Sequence, residues 1–147
     1  MQNIQFYYDF EISKNGLKKC FEDIAKNNSK YGNATVYYIQ MGLASLTLLE
    51  NAFKGINFNF EESTLNCVQQ LCEQIKQVKS EKDYLTYCQI LGAYVGWCAV
   101  KKYKAYFATI DNNFMLICNN KAFNLTAIIQ ICCEDKNIQN IFNNFNE

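Results

Sequence analysis

The side chains of this chain that could do chemistry are cysteine, lysine, tyrosine and carboxylate, because histidine and arginine are both absent. Without histidine, the usual base for a Ser or Cys nucleophile, the commonest zinc ligand and the physiological pH switch are missing. Without arginine there is no bidentate reader of guanine edges or phosphate, and 14 lysines balance 14 carboxylates to a net charge of zero. That balance leaves no electrostatic footprint for nucleic acid, so no nucleic-acid partner is expected.

The eight cysteines are Cys20, Cys67, Cys72, Cys88, Cys98, Cys118, Cys132 and Cys133. No two are spaced C-x-x-C, and the opening MQNIQFYYDFEISKNG has no basic region, apolar run or cleavage site of a secretory signal. All but the adjacent Cys132 and Cys133 fall singly where the helical or strand pattern buries its residues, and there a thiol behaves as a small hydrophobe. Reduced structural thiols in a cytoplasmic protein are the expectation, with neither metal nor disulfides. A catalytic thiolate would lack a visible activating partner. The paired carboxylates Glu61 with Glu62 and Glu134 with Asp135 are adjacent in sequence, so neither pair need face one cleft, and helix starts or turns account for both. The six glycines are scattered and form no phosphate cradle, so no cofactor is expected.

One basic and aromatic cluster remains, Trp97, Lys101, Lys102, Tyr103, Lys104 and Tyr106. Lysines at a helix end answer the helix dipole, which explains them without function. Tyr and Trp are also enriched at binding hot spots, which makes the cluster a candidate partner surface.

The elements that would position these groups follow from periodicity. With 147 residues, half of them hydrophobic, the chain has the size of a single globular domain spanning residues 1–147. The aromatic IQFYYDFEI suits either a strand or an extended arm. Ser13 is a candidate N-cap for a first amphipathic helix with Leu17, Cys20, Phe21 and Ile24 on its apolar face. ATVYYIQMGLASLTLLENAF is apolar nearly all round and reads as a central helix, too short in its apolar part for a membrane span. Asn59 and Glu62 are spaced as a capping box ahead of a peripheral helix striped by Leu65, Val68, Leu71, Cys72, Ile75 and Val78. Ser80 and Asp83 would cap a second central helix containing ILGAYVGWCAV. Its glycines, Gly92 and Gly96, each cost a helix about 1 kcal/mol relative to alanine. Close crossing with Gly42 and Ser45 of the first central helix is the expected compensation.

After Lys102 the period changes to two, with KAYFATI and FMLIC separated by Asp111, Asn112 and Asn113, a hairpin signature. A further short strand, a helix capped by Asn124 and a last helix striped by Ile138, Ile141, Phe142 and Phe145 complete an α+β chain. It is mostly helical, with about five to six helices and a small antiparallel meander in its C-terminal third.

From Tyr84 to the C-terminus the chain, with its LGAYVGW, lysine-rich helix end, hairpin and final helix, resembles small bacterial α+β domains carrying an LGAYLGE-like helix. Several of those look like immunity proteins paired with secreted interbacterial toxins. Trp97 stands where the resemblance would place an acidic residue, so an acid used there for recognition would be missing. The resemblance implies a cytoplasmic, non-enzymatic protein that occludes a cognate toxin's active site. The expected contact residues are Trp97, Lys101, Lys102, Tyr103, Asp111, Asn112 and Asn113, and a homodimer stays open. The alternative is a small enzyme or ligand-binding domain using carboxylate, Tyr or Cys groups, which a pocket holding a perturbed acid or thiol would favour.

Overall fold

The computed structural model describes residues 8–27 and 29–147. Part of the aromatic N-terminal stretch, residues 4–7, therefore lies outside the described residues. Within them the order is α1 (Lys14–Ala25), α2 (Asn33–Ala52), a 3₁₀ turn (Glu62–Thr64), α3 (Leu65–Ile75), α4 (Glu81–Tyr103), β1 (Tyr106–Ile110), β2 (Asn113–Cys118), β3 (Lys121–Phe123), α5 (Leu125–Glu134) and α6 (Ile138–Asn144). The fold is α+β and mostly helical, with one antiparallel sheet in the order β1-β2-β3 in the C-terminal third.

Local chemistry sets most of the boundaries. Ser13 Oγ accepts from Gly16 N, Ser80 Oγ from Asp83 N, and Asn124 Oδ1 from Ala127 N, each satisfying a helix donor that would otherwise lack a partner. The capping box expected at Asn59 and Glu62 does not form. Asn59 Oδ1 instead accepts from Lys14 N at the start of α1, and Glu62 opens the 3₁₀ turn. A side chain in an irregular segment is free to serve whichever helix end lies nearest in space, and here that end is distant in sequence. Helix α4 stops where Lys104 adopts the left-handed conformation, φ 57°, and turns the chain into β1.

Helix α4 is the axis of the molecule: every residue from Leu91 to Val100 is buried. It packs on α2 along one side and α5 along another. The expected crossing of glycines on glycines is not what brings α2 and α4 together. A Cβ on Gly92 would sit 3.1 Å from the backbone of Leu125, and one on Gly96 would sit 2.7 Å from Leu125 Cδ1 and 2.9 Å from Phe107 Cε1. The glycines of α4 therefore admit the start of α5 and a ring from β1. Gly42 of α2 serves a different guest, the Trp97 indole, whose atoms lie 2.8 Å from where its Cβ would be. The close approach is real, but it is a bulky side chain entering a notch, and Trp97 lies one residue, about 100° of helix turn, away from Gly96.

Candidate functional site

The expected partner-binding residues divide into three environments. Trp97 has no exposed surface, and its Nε1 donates to the Tyr38 carbonyl at 2.6 Å. Rings of Tyr8, Phe10, Phe60 and Phe107 surround it, with centroids 4.9–6.5 Å away. It is a core residue and leaves the list of contact candidates, because a side chain with no accessible surface offers nothing to a partner. The position that departs from the LGAYLGE pattern is thus spent on packing.

Lys101 and Lys102 lie at the end of α4 and are already engaged. Lys101 Nζ pairs with Glu61 and donates to the Asn59 carbonyl at 3.0 Å. Lys102 pairs with Glu62, whose second oxygen accepts from Gln139 Nε2 of α6 at 2.7 Å. The ammonium of Lys102 also lies 5.5 Å and 5.9 Å from the ring centroids of Tyr103 and Phe142. The Lys102 partner and a hydrogen bond from Gln139 hold the Glu62 carboxyl below the usual carboxylate range. The half-buried Tyr103 ring stacks at a tilt on Phe142, 5.1 Å between centroids. The pair Glu61–Glu62, read from the sequence as solvated caps, is the counter-charge that straps the chain before α3, and through Gln139 α6 also, to the end of α4.

Asp111, Asn112 and Asn113 are exposed. Asp111 and Asn112 both have positive φ, 51° and 66°, which makes the two-residue turn type I′, and Asn113 begins β2. Asn113 Nδ2 donates to the Asp111 carbonyl at 3.1 Å across this turn. Its base is pinned to α2, since the Tyr38 hydroxyl donates to the Phe114 carbonyl at 3.2 Å and Tyr37 packs on Phe114 at 5.1 Å. At about 3.3 Å per residue, the turn lies about 20 Å along β1 from the lysines. The structure places the two groups at opposite ends of the hairpin.

Sequence reasoning missed a third place. An open cleft of about 680 Å³ lies between the α3–α4 connection and the end of α5, lined by Lys76, Lys79, Glu81, Tyr84, Cys133 and Glu134, among others. Beside it pack α3, α4 and α5, which bury Cys72, Cys88 and Cys133 respectively. Cys133 is near enough to Cys72, Cys88 and the Tyr84 hydroxyl for their ionisations to influence one another. Burial pushes all three thiols up, Cys88 to about 11, and the neighbouring Cys133 raises both partners further. All eight cysteines are free and buried. Among the described residues no group of His, Cys, Asp or Glu has an arrangement that could hold a metal ion. Helical periodicity put each of these thiols on a buried face, but three helices had to pack before they could be neighbours.

No helix among the described residues is long and apolar enough to cross a membrane. No family model matches the chain, and neither a curated protein nor a solved structure matches it significantly.

Proposed function

We propose that this protein is a non-enzymatic protein-binding module of the cytoplasm, and that it acts as an immunity-type protein occluding the active site of a cognate bacterial toxin. The observation that carries the binding reading is the exposed, rigid tip of the β1–β2 hairpin. A type I′ turn built without glycine, closed by the Asn113 side chain and anchored to α2 through Tyr38, presents Asp111, Asn112 and Asn113 with little conformational entropy left to lose. Low ordering cost is what a plug for a cleft needs. The choice of a toxin as the partner rests on the LGAYVGW helix and its resemblance to immunity domains. Lys101 and Lys102 contribute as a rim of paired charges rather than as free cations, with the Tyr103 ring beside them. An interface of standard size, about 800 Å² per partner, is wide enough to reach both ends of the hairpin.

The test is co-purification with the product of the gene immediately upstream, followed by titration calorimetry on the complex. The double substitution Asp111→Gly, Asn112→Gly, which keeps the positive-φ turn and removes both side chains, is expected to weaken that complex at least about tenfold, a little over 1.4 kcal/mol, with the circular dichroism spectrum unchanged. Equal affinity for both proteins would remove the turn from the interface, and absence of any complex would remove the immunity reading.

A further inference from the structure

The register of the meander sorts its side chains onto two faces. Residues paired across the strands point the same way, so Tyr106, Ala108, Ile110, Met115, Ile117 and Ala122 share one face, while Phe107, Leu116 and Phe123 share the other. The second of these is the inner face: Phe107 stacks on Tyr38 of α2 and meets Trp97 of α4, and Phe123 packs on Phe145. On the first face Ala122 is exposed, the other five side chains are half-buried, and none of the six belongs to the core cluster or packs against it. An antiparallel sheet with one solvated face ordinarily alternates apolar-in with polar-out, yet this one turns six apolar side chains and no charge outward. We propose that the outward face of the meander is a docking surface for a single amphipathic α-helix of a partner protein. The proposal rests on the reading of the hairpin as a binding surface and names what lies on it.

Size and charge select the occupant. At about 4.8 Å between strands and about 3.3 Å per residue, the meander presents a strip of roughly 10 Å by 17 Å, on the order of 250 Å² once side chains widen it. A second copy laid face to face on that strip covers about a third of the roughly 800 Å² per partner of a standard interface. One helix about 10 Å in diameter fills the same strip with about eleven residues, or about three turns. An added strand is disfavoured at the outer edge of β1, where the Phe107 N–H already donates to the Tyr8 hydroxyl at 2.7 Å. The two ends of the strip carry opposite charge. Asp111 is exposed at the tip, Lys104 and Lys121 are exposed at the base, and among the described residues none of the three is in an ion pair. A helix carries about half a positive charge at its N-terminus and about half a negative charge at its C-terminus, so the docked helix runs from Asp111 towards the two lysines. Its buried stripe is aliphatic and uncharged, because the face offers no charge to pair with one.

The experiment adds a synthetic peptide of about fifteen residues, with leucine at i, i+3, i+4 and i+7 and alanine and glutamine elsewhere, to the isotope-labelled full chain and follows its amides by NMR. Shifts are expected at Ala108, Met115 and Ile117. A spin label on the peptide's N-terminus should broaden Asp111, and one on its C-terminus should broaden Lys121. A peptide of the same composition with its leucines off that spacing should leave the face unshifted. Met115→Lys and Ile117→Lys, each at a side chain outside the core, should weaken binding at least about tenfold with the melting transition retained. No shift on this face at about 1 mM peptide, unchanged affinity in both variants, or the reverse pattern of broadening would overturn the proposal. So would a free chain that sediments as a dimer and returns to a monomer in Ile117→Lys, which makes a second copy the occupant. Nuclear Overhauser contacts from the face to residues 1–7 of the free chain would overturn it too, in favour of the chain's own N-terminus. The complex with the upstream gene product separates this proposal from the toxin reading. Peptide binding without that complex removes the toxin alone, and a complex that Met115→Lys and Ile117→Lys leave unchanged removes the helix alone.

Discussion

At the scale of single residues, Trp97 and Gly42 are one feature read in two places. The indole fills the space a Cβ would take on α2, and its Nε1 satisfies the Tyr38 carbonyl in the core. Adding a methyl at Gly42 gains about 1 kcal/mol of helix propensity but drives carbon to 2.8 Å from a ring that four other aromatic side chains hold in place. Gly42→Ala is therefore expected to destabilise by about 1–3 kcal/mol net, measured by urea unfolding. A variant as stable as the parent would place the indole elsewhere. The buried thiols make a second expectation. Burial raises Cys88 and Cys132 from the ordinary 9.0 to about 11. Below about pH 9 both thiols are protonated in the folded and unfolded chains, and stability is level. Between about pH 9 and 11 the unfolded chain releases protons that the folded chain keeps, so stability falls as pH rises. The buried hydroxyls of Tyr38 and Tyr94, also raised by desolvation, extend the loss upward. The melting temperature is expected to drop by about 4–8 °C from pH 8.5 to 10.5, and Cys88→Ala to flatten part of that slope. A flat profile across that range would mean the thiols are not desolvated.

At the scale of elements, the hairpin shows how local signals and their cost combine. Both tight turns of the meander, Asp111-Asn112 and Asn119-Asn120, place non-glycine residues at positive φ, 51–66°. Asx residues tolerate that region best after glycine, which is why an Asp/Asn cluster marked the turn without any glycine in it. Asn112→Gly relieves the strained position and is expected to stabilise by about 0.5–1 kcal/mol, read as a shift of the urea midpoint at constant slope. Loss of stability would mean that the Asn112 side chain is holding the turn. The end of α4 is a counter-example, since its lysines and their aromatic neighbours read as a candidate partner surface. The register of α4 placed Lys101 and Lys102 above Glu61 and Glu62, forty residues away, and pairing converted them from free charge to a strap. Surface pairs of this kind are worth about 0–1 kcal/mol each, so they fix the position of the segment before α3 more than they stabilise the fold.

At the scale of the molecule, the buried side chains of α1–α6, β1 and β2 form one cluster around α4. Nothing in that arrangement isolates a part of the core, so unfolding should be a single cooperative transition. Native-state hydrogen exchange is expected to find the slowest amides in the Leu91–Val100 stretch, at the free energy of global unfolding. Faster exchange there than in α1 would show that α4 is not the axis.

What the sequence determined by itself is what repeats locally. Helix and strand periods, the caps at Ser13, Ser80 and Asn124, the Asp/Asn turn and the burial of thiols all follow from residues within a few positions of one another, and the α+β, mostly helical class follows from their order. Tertiary structure alone decided which small residue receives which large one, which carboxylate meets which lysine, and where Asn59 spends its side chain. A helical period fixes which face is buried but not what that face meets. Gly92 and Gly96 announced a close approach without naming Leu125, and Cys72, Cys88 and Cys133 became neighbours only when three helices closed around them.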